Sequence, residues 1–282
     1  MIPLTVGNLA FDLDVPPALE AVARRKYAGF IRDASDEIAA RPLRLRVTRS
    51  ASLPEIEPMR LPRLHLERID ADRVAMIGDS PGELDLANGY GEVDGRYPLA
   101  GLDALLRLAL SLISPRNGWL LLHGAALAVR DERWAVLLGR SGAGKSTAAR
   151  AFDAYCDELV LARPHAAGCE VASTPYWNGR AGRAPCAALV CLDKGGTIGI
   201  RPLRGGDIAR SLAPHLVRHI ALPDGEEATM TLLCEVARNT AVFEIGCPTG
   251  PRYLPFLEQA LATIGCAPLA SSQEAAGAVH HG

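Results

Sequence analysis

Gly139-Arg-Ser-Gly-Ala-Gly144-Lys145-Ser146 matches the phosphate-binding loop pattern G-x-x-x-x-G-K-[ST]. The apolar residues 134–138 predict a buried strand before the loop, and residues 146–152 predict a helix after it. Glycines let the backbone wrap around a polyphosphate with its N–H groups pointing inward, and the helix N-terminus adds partial positive charge. The stretch therefore predicts a nucleotide-binding site.

The loop also predicts how a nucleotide is held. Lys145 is expected to reach the β- and γ-phosphates of a bound nucleotide, and the Ser146 hydroxyl is expected to bind Mg²⁺. A nucleoside polyphosphate and Mg²⁺ are thus the expected ligands. The residues expected to surround the nucleotide are Gly139, Ser141, Gly142, Ala143, Gly144, Lys145, Ser146 and Thr147.

Composition narrows the class of protein. The 282 residues suffice for one large or two modest domains, and the net charge of −2 lacks the basic excess of a nucleic-acid-binding protein. No apolar run reaches the roughly 18 residues of a membrane span, and the first residues do not form a secretory signal. We expect a cytoplasmic protein with no nucleic-acid partner and no membrane partner.

The seven cysteines include no C-x-x-C pair. Their pattern favours small buried side chains in a reducing compartment over a disulfide framework or a zinc site. His215 and His219 are spaced by one helical turn and offer a weaker metal-site alternative, because no third ligand lies nearby in the sequence.

The order of the elements predicts an α/β fold. Residues 1–114 are expected to form a smaller α+β domain, with strands at 43–48 and 64–69 and a helix at 98–114; substrate recognition is its suggested role. Residues 115–266 are expected to form the phosphate-loop domain, with a strand at 119–122, a strand at 158–162 and a helix at 206–220. Residues 267–282 predict a disordered tail.

Two further motifs lie close to the loop in the sequence. His123-Gly124 follows the predicted strand at 119–122, where an imidazole can position or polarise a transferring phosphoryl group. Asp157-Glu158 comes just after the loop helix, whereas most phosphate-loop NTPases place the second acid beyond a further strand and helix. Adjacent acids can hold Mg²⁺ and accept a proton from an attacking hydroxyl.

Together these motifs resemble the HPr kinase and the HPr-kinase-related proteins, which share a nucleotide-binding core with ATP-dependent phosphoenolpyruvate carboxykinases. The resemblance covers about residues 119–265 and includes a Thr-Pro segment at 173–179. It implies a mixed-sheet phosphate-loop core of that type. It also implies Asp157 as general base, Glu158 with Ser146 as Mg²⁺ ligands, and an assisting His123, although either acid can take either role.

The chain departs from that family in three respects. Glu158 stands where the family usually has Asp, the stretch between Lys145 and Asp157 is shorter, and the downstream carrier-protein signature is not visible. We therefore expect another phosphate acceptor and no phosphorylase activity. Arg180, with Arg183 beside it, is the candidate guanidinium for stabilising the transferring phosphoryl group.

The sequence thus predicts an ATP- and Mg²⁺-dependent phosphotransferase acting on a Ser or Thr hydroxyl of a peptide or small protein. Relatives of this type occur beside peptide-modification genes, so the resemblance suggests a ribosomally made peptide precursor as the acceptor. One alternative is a small-molecule kinase or carboxykinase-like enzyme on the same core. Another is a non-enzymatic nucleotide-dependent regulator. Relatives often form oligomers, which leaves a homo-oligomer open.

Overall fold

The computed structural model describes residues 1–32, 41–48, 63–94, 97–166, 168–176 and 179–269. Over these residues the chain is mixed α/β with two seven-stranded mixed sheets, as the coarse fold class predicts. The chain divides into two compact units, one formed by Met1–Asn117 with Arg218–Ala228 and the other by Gly118–Val217 with Thr229–Gly282. The expected tail lies outside the described residues from 270 onward, and before that point Pro268 forms a bridge with Val129.

Among its described residues, the first unit contains one sheet, two complete helices and the first residues of a helix that continues into the second unit. Its sheet has the strand order β1-β2-β3-β7-β6-β5-β4. The elements are β1 (Ile2–Val6), β2 (Leu9–Asp14), α1 (Pro17–Lys26), β3 (Leu43–Val47), β4 (Leu64–Arg68), β5 (Arg73–Gly78), β6 (Gly82–Asp85), β7 (Tyr90–Val93) and α2 (Pro98–Arg116).

Side-chain alternation accounts for this sheet. In β3, Leu43, Leu45 and Val47 are buried while the arginines between them are exposed, which confirms the predicted half-buried strand. The strands predicted at 64–69 and the helix at 98–114 are confirmed as β4 and α2, whereas the hairpin of β1 and β2 was not predicted. Helix α2 packs against β3, β6 and β7.

Helix α2 has the length and apolarity that a membrane span requires, alone among the helices of the described residues. The helix has 19 residues, and 61% of its most apolar 18-residue stretch is buried. A core helix of a folded unit meets the same two criteria, and the contacts of α2 with three strands are those of a core helix.

The second unit contains the phosphate loop. Its sheet has the order β11-β10-β8-β9-β12-β14-β13, and β11 also pairs with β12. The elements are β8 (Leu120–Ala128), β9 (Trp134–Leu138), α3 (Lys145–Ala151), β10 (Ala154–His165), β11 (Gly168–Ser173), β12 (Arg183–Lys194), β13 (Gly199–Pro202), α4 (Gly206–Leu212), α5 (Pro223–Asn239), β14 (Val242–Cys247) and α6 (Tyr253–Thr263).

Two apolar layers cover the two faces of this sheet. On one face, Val136 and Leu189 belong to a cluster with Leu212 of α4 and Leu233 of α5. On the other face, the cluster joins α3 and α6 to the strands, and Leu137 lies within it. Strand β9 is buried at every residue because both of its faces are covered, and this explains its uninterrupted apolar sequence.

Strand β8 extends beyond the predicted end at residue 122. The apolar residues 125–128 continue the pairing with β9, so His123 and Gly124 lie inside the strand and not at its end. A Cβ at Gly124 would come within 2.8 Å of the Leu137 carbonyl oxygen. Glycine therefore permits close pairing here, whereas from the sequence it was interpreted as a strand terminator.

The helix predicted at 206–220 was wrong in its second half. Helix α4 ends at Leu212 and a short 3₁₀ turn follows, because Pro214 lacks the N–H that a continuing α-helix requires. The next residues are extended, and Val217 N–H donates to the Leu121 carbonyl at 2.8 Å. His215 and His219 therefore do not share a helical turn, and the described residues include no cluster of three or more His, Cys, Asp or Glu side chains suited to a metal.

Cysteine burial yields a prediction for thiol chemistry. All seven cysteines are free thiols, five are buried as expected, Cys186 is half-buried, and Cys234 is exposed. Burial raises the pKa of the Cys156 and Cys191 thiols to about 12. We expect a thiol reagent to modify the folded chain rapidly at Cys234 alone, because only that thiol is fully accessible. Labelling kinetics read by intact mass should show one fast equivalent that disappears in Cys234→Ser; several fast equivalents would contradict the described core.

Candidate active site

The phosphate loop connects the end of β9 to the first residue of α3. Gly144 precedes the helix with φ of 104°, in the left-handed region that favours glycine. The N–H groups at the start of α3 therefore lie at the open end of the helix, where they can bind an anion. The strand, loop and helix predicted from residues 134–152 are confirmed.

Gly144 is also constrained by a contact from α6. The aromatic ring of Tyr253 occupies the position that a Cβ at residue 144 would take. Gly142, two residues earlier in the loop, has φ of 80° but no atom near its Cβ position. The loop thus depends on glycine at 142 for backbone conformation alone, and at 144 for conformation and for packing.

Lys145 folds back over the beginning of the loop. Its ammonium donates to the Gly139 carbonyl at 2.7 Å and to the Arg140 carbonyl at 3.4 Å, and the residue is only 6% exposed. Burial lowers the pKa of Lys145, and the nearby Asp157 carboxylate opposes that shift. The ammonium is therefore held at the Gly139 end of the loop.

Strand register brings the two remaining motifs together. In the antiparallel pair of β8 and β10, Leu159 lies opposite His123 and Asp157 lies opposite Ala125. Directly opposed residues and every second residue along a strand share a face. His123 and Asp157 therefore share the face that Ala125 occupies, and Ala125 belongs to the apolar cluster containing α3.

These side chains line one cavity with the loop. The cavity has a volume of about 320 Å³. It is bounded by His123, Ser141, Gly142, Gly144, Lys145, Ser146, Thr147, Asp157 and Lys194. Eight residues predicted from three separate motifs thus meet at one place, and we call this space the phosphate cavity.

Asp157 and Ser146 both line the phosphate cavity. Burial raises the pKa of Asp157, while the Ser146 hydrogen bond and the charges of Arg150 and Lys145 act in the opposite direction. A hydroxyl and a carboxylate side by side are hard oxygen donors of the kind that Mg²⁺ prefers, so this pair fits the predicted metal.

Glu158 lies elsewhere. Its Cα pairs with that of Gly124, and alternation directs its side chain to the face opposite that of Asp157. The two neighbouring acids therefore do not form a joint carboxylate pair at the loop. The predicted partnership of Glu158 with Ser146 at Mg²⁺ is not assembled, because consecutive strand residues point to opposite faces.

Arg180 is held away from the phosphate cavity. Its guanidinium pairs with Asp153 at 2.6 Å, donates to the Ala154 carbonyl and lies 4.3 Å from the centre of the Tyr155 ring. It lines neither the phosphate cavity nor the larger one described next. Arg183 is exposed at the beginning of β12, and the predicted segment 173–179 falls partly outside the described residues.

A larger cavity of about 570 Å³ adjoins the beginning of the loop. It shares Ser141, Gly142 and Lys194 with the phosphate cavity. Its walls are Gly139, Arg140, Ser141, Gly142, Ala143, Cys191, Leu192, Asp193, Lys194, Arg210, Ser211, Pro214, His215 and Glu244. Each of the eight residues expected to surround the nucleotide lines one of the two cavities.

Lys194 and Tyr253 were not predicted as site residues. His215 was considered from the sequence only as a metal ligand together with His219. Burial lowers the pKa of His215 to about 4, with further contributions from the positive charges of Lys145, His123 and Arg140. His215 is therefore close enough to the loop to interact with its cations. The sequence carried a signal for this position in Pro214, which ends the helix and turns the chain toward β8.

Comparisons with known proteins add little to this geometry. No family model matches the chain, and no curated protein matches it. Among solved structures, the chain is similar to the HPr(Ser) kinase/phosphatase from Coxiella burnetii, with 12% identity and a TM-score of 0.32 over 51% of this chain and 93% of that chain. The function proposed below therefore rests on the residues around the loop.

The two loop glycines provide a matched test of this geometry. We expect Gly142→Ala to destabilise the fold by about 1–2 kcal/mol, the usual penalty for a left-handed non-glycine residue. Gly144→Ala should destabilise the fold by about 1–3 kcal/mol more than Gly142→Ala does, because its methyl group overlaps the Tyr253 ring. Urea unfolding of both variants measures the difference, and equal losses would show that Tyr253 does not restrict the loop.

Proposed function

We propose that the chain is an ATP- and Mg²⁺-dependent kinase that transfers the γ-phosphate to a hydroxyl group. The observation that carries the proposal is the shared cavity of Lys145, Ser146, His123 and Asp157. A phosphate loop by itself indicates only that phosphates bind. A carboxylate in the same cavity as the loop serine, together with an imidazole on the same face, adds the groups that phosphoryl transfer requires.

The loop gives the bound nucleotide a direction. Lys145, which contacts β- and γ-phosphates in such loops, is held at Gly139 and Arg140. Thr147 lies at the other end, where it lines only the phosphate cavity. The γ-phosphate is therefore assigned to the Gly139 end, next to the larger cavity, and the nucleoside to the Thr147 end.

The larger cavity is then the proposed entrance for the acceptor. Its volume of about 570 Å³ is sufficient for a side chain with its neighbouring groups, and it opens at the end of the loop assigned to the γ-phosphate. An acceptor hydroxyl entering there would form a bond to the γ-phosphorus while the bond from that phosphorus to the bridging oxygen of ADP breaks.

Each residue then has a defined task. Ser146 and Asp157 would hold Mg²⁺, which when bound supplies charge compensation for the phosphate oxygens. Lys145 binds the phosphates, and His123 positions the transferring group from the adjacent strand. The proton of the hydroxyl can pass to His215, whose imidazole is neutral at pH 7 and whose low pKa would rise beside bound phosphate.

The nature of the acceptor follows from the resemblance and not from the cavity. A Ser or Thr hydroxyl on a peptide or small protein, including a ribosomally made precursor, is the proposed class. A small-molecule acceptor would use the same two cavities. A nucleotide-dependent regulator would retain phosphate binding without requiring Asp157 for any transfer.

Substitution of the two neighbouring acids separates these functions. With γ-labelled ATP, Mg²⁺ and peptides encoded beside the gene, we expect transfer to fall on the order of 10²–10³-fold in Asp157→Asn and in Lys145→Ala, because each removes a charge at the transferring phosphate. Glu158→Gln is the matched control, since it changes the adjacent acid on the opposite face. Its transfer rate should remain within about threefold of wild type, well below the change from losing a transition-state contact.

The outcomes distinguish the candidate functions. Label on a peptide that disappears in Asp157→Asn supports the kinase. ATP binding without transfer or hydrolysis, unchanged in Asp157→Asn, supports the regulator. A larger loss in Glu158→Gln than in Asp157→Asn would contradict the assignment of Asp157 to the phosphate site.

A further inference from the structure

Lys194 lies at the same edge of the sheet as the phosphate loop. It is the last residue of β12, which runs parallel to β9, and Cys191 of β12 is opposite Leu138 at the end of β9. Because parallel neighbours end at the same edge, Lys194 ends β12 at the edge where the loop follows β9. No sequence motif identifies this lysine.

Lys194 borders both cavities, as do Ser141 and Gly142. The side chain is thus at the boundary between the space assigned to the phosphates and the space assigned to the acceptor. In the proposed reaction the γ-phosphoryl group crosses this boundary, because it leaves ADP on one side and joins the acceptor on the other.

The charge of Lys194 is available for a ligand. Within the described part of the chain it makes no ion pair, whereas Arg201 pairs with Glu244 and Arg210 pairs with Asp207. Its ammonium lies 6.0 Å from the centre of the Tyr253 ring, within the range of a cation–π interaction. The cation is therefore positioned by an aromatic ring and not neutralised by a carboxylate.

Tyr253 connects this lysine to the loop. The residue is 4% exposed, its ring lies against Gly144, and its hydroxyl has no hydrogen-bond partner among the described residues. Burial raises the pKa of the Tyr253 hydroxyl, which keeps it protonated and able to donate. One buried ring thus contacts the last glycine of the loop and faces the ammonium at the cavity boundary.

We propose that Lys194 is a second phosphate-binding lysine of this site, positioned by Tyr253, and that it recognises the terminal phosphate of a nucleoside triphosphate. The inference rests on the proposed nucleotide site and extends it. Lys145 binds from within the loop, and Lys194 binds the same polyphosphate from the neighbouring strand. Its charge selects a triphosphate over a diphosphate and offsets the charge on the γ-phosphoryl group during transfer.

Calorimetric titration with Mg²⁺ and either ADP or a non-hydrolysable ATP analogue tests this recognition directly. We expect Lys194→Met to weaken binding of the analogue about tenfold or more and ADP by less than about threefold, since only the analogue has the terminal phosphate. Lys194→Arg should recover most of the loss because it restores the charge. Arg201→Gln is the matched control, since it removes an exposed positive charge that is already paired with Glu244.

Tyr253 requires a second pair of variants. Tyr253→Phe keeps the ring, and Tyr253→Leu removes it while keeping an apolar side chain. If the ring positions Lys194, Tyr253→Leu should reproduce the selective loss of analogue binding, and combining it with Lys194→Met should add little. Circular dichroism during heating checks that both variants fold, and the exposed Lys194 variants remain informative if Tyr253→Leu does not.

The titrations distinguish a failure of the Lys194 proposal from a failure of the proposed nucleotide site. Equal weakening of ADP and analogue in Lys194→Met, or no weakening of either, overturns the proposed role of Lys194 while the nucleotide site stands. Failure of the wild-type chain to bind either nucleotide overturns the proposed function and this inference together.

Discussion

The antiparallel pairing of β8 with β10 is the constraint on which the rest of the site depends. It places Leu159 opposite His123 and Asp157 opposite Ala125, which directs one imidazole and one carboxylate toward the face covered by α3. A shift of this register by one residue would place Glu158 on that face and remove Asp157 from the cavity that it shares with Ser146. The apolar residues on both faces of the sheet hold the register, because any slip would expose them.

The phosphate loop is held by contacts at its beginning and at its end. On one side, Lys145 is buried and bound to the backbone carbonyls of its own loop. On the other, the Tyr253 ring fills the space beside Gly144 and faces Lys194. These contacts restrict the loop in the absence of a ligand, and in the proposed transfer preorganised cations would need little reorganisation as charge develops. They also explain why residues distant in sequence belong to the same cavity.

Much of the core and half of the site could be predicted from local patterns. The buried strand β9, the loop, α3 and the half-buried strand β3 each have a short sequence signature, and each was confirmed. The length of β8 was underestimated, since Gly124 resembles a terminator until its tight approach to Leu137 is known. Helix α4 was overestimated because Pro214 ended it sooner than the apolar spacing indicated. Lys194 and Tyr253 carried no local signal, because their positions depend on which strands become neighbours.

The sequence by itself predicted a polyphosphate-binding loop at residues 139–146, since the loop pattern requires only contiguous residues and their backbone geometry. It also supplied Asp157 as the favoured base and Glu158 as the favoured metal ligand. Only the tertiary structure placed the two acids on opposite faces of the sheet, because the face on which a side chain lies is a property of strand pairing and not of the residue. The same pairing brought His123 to the loop and left Arg180 with Asp153. Site residues within one contiguous segment could be predicted from the sequence. Sites formed by residues from separate segments could be identified only from the fold.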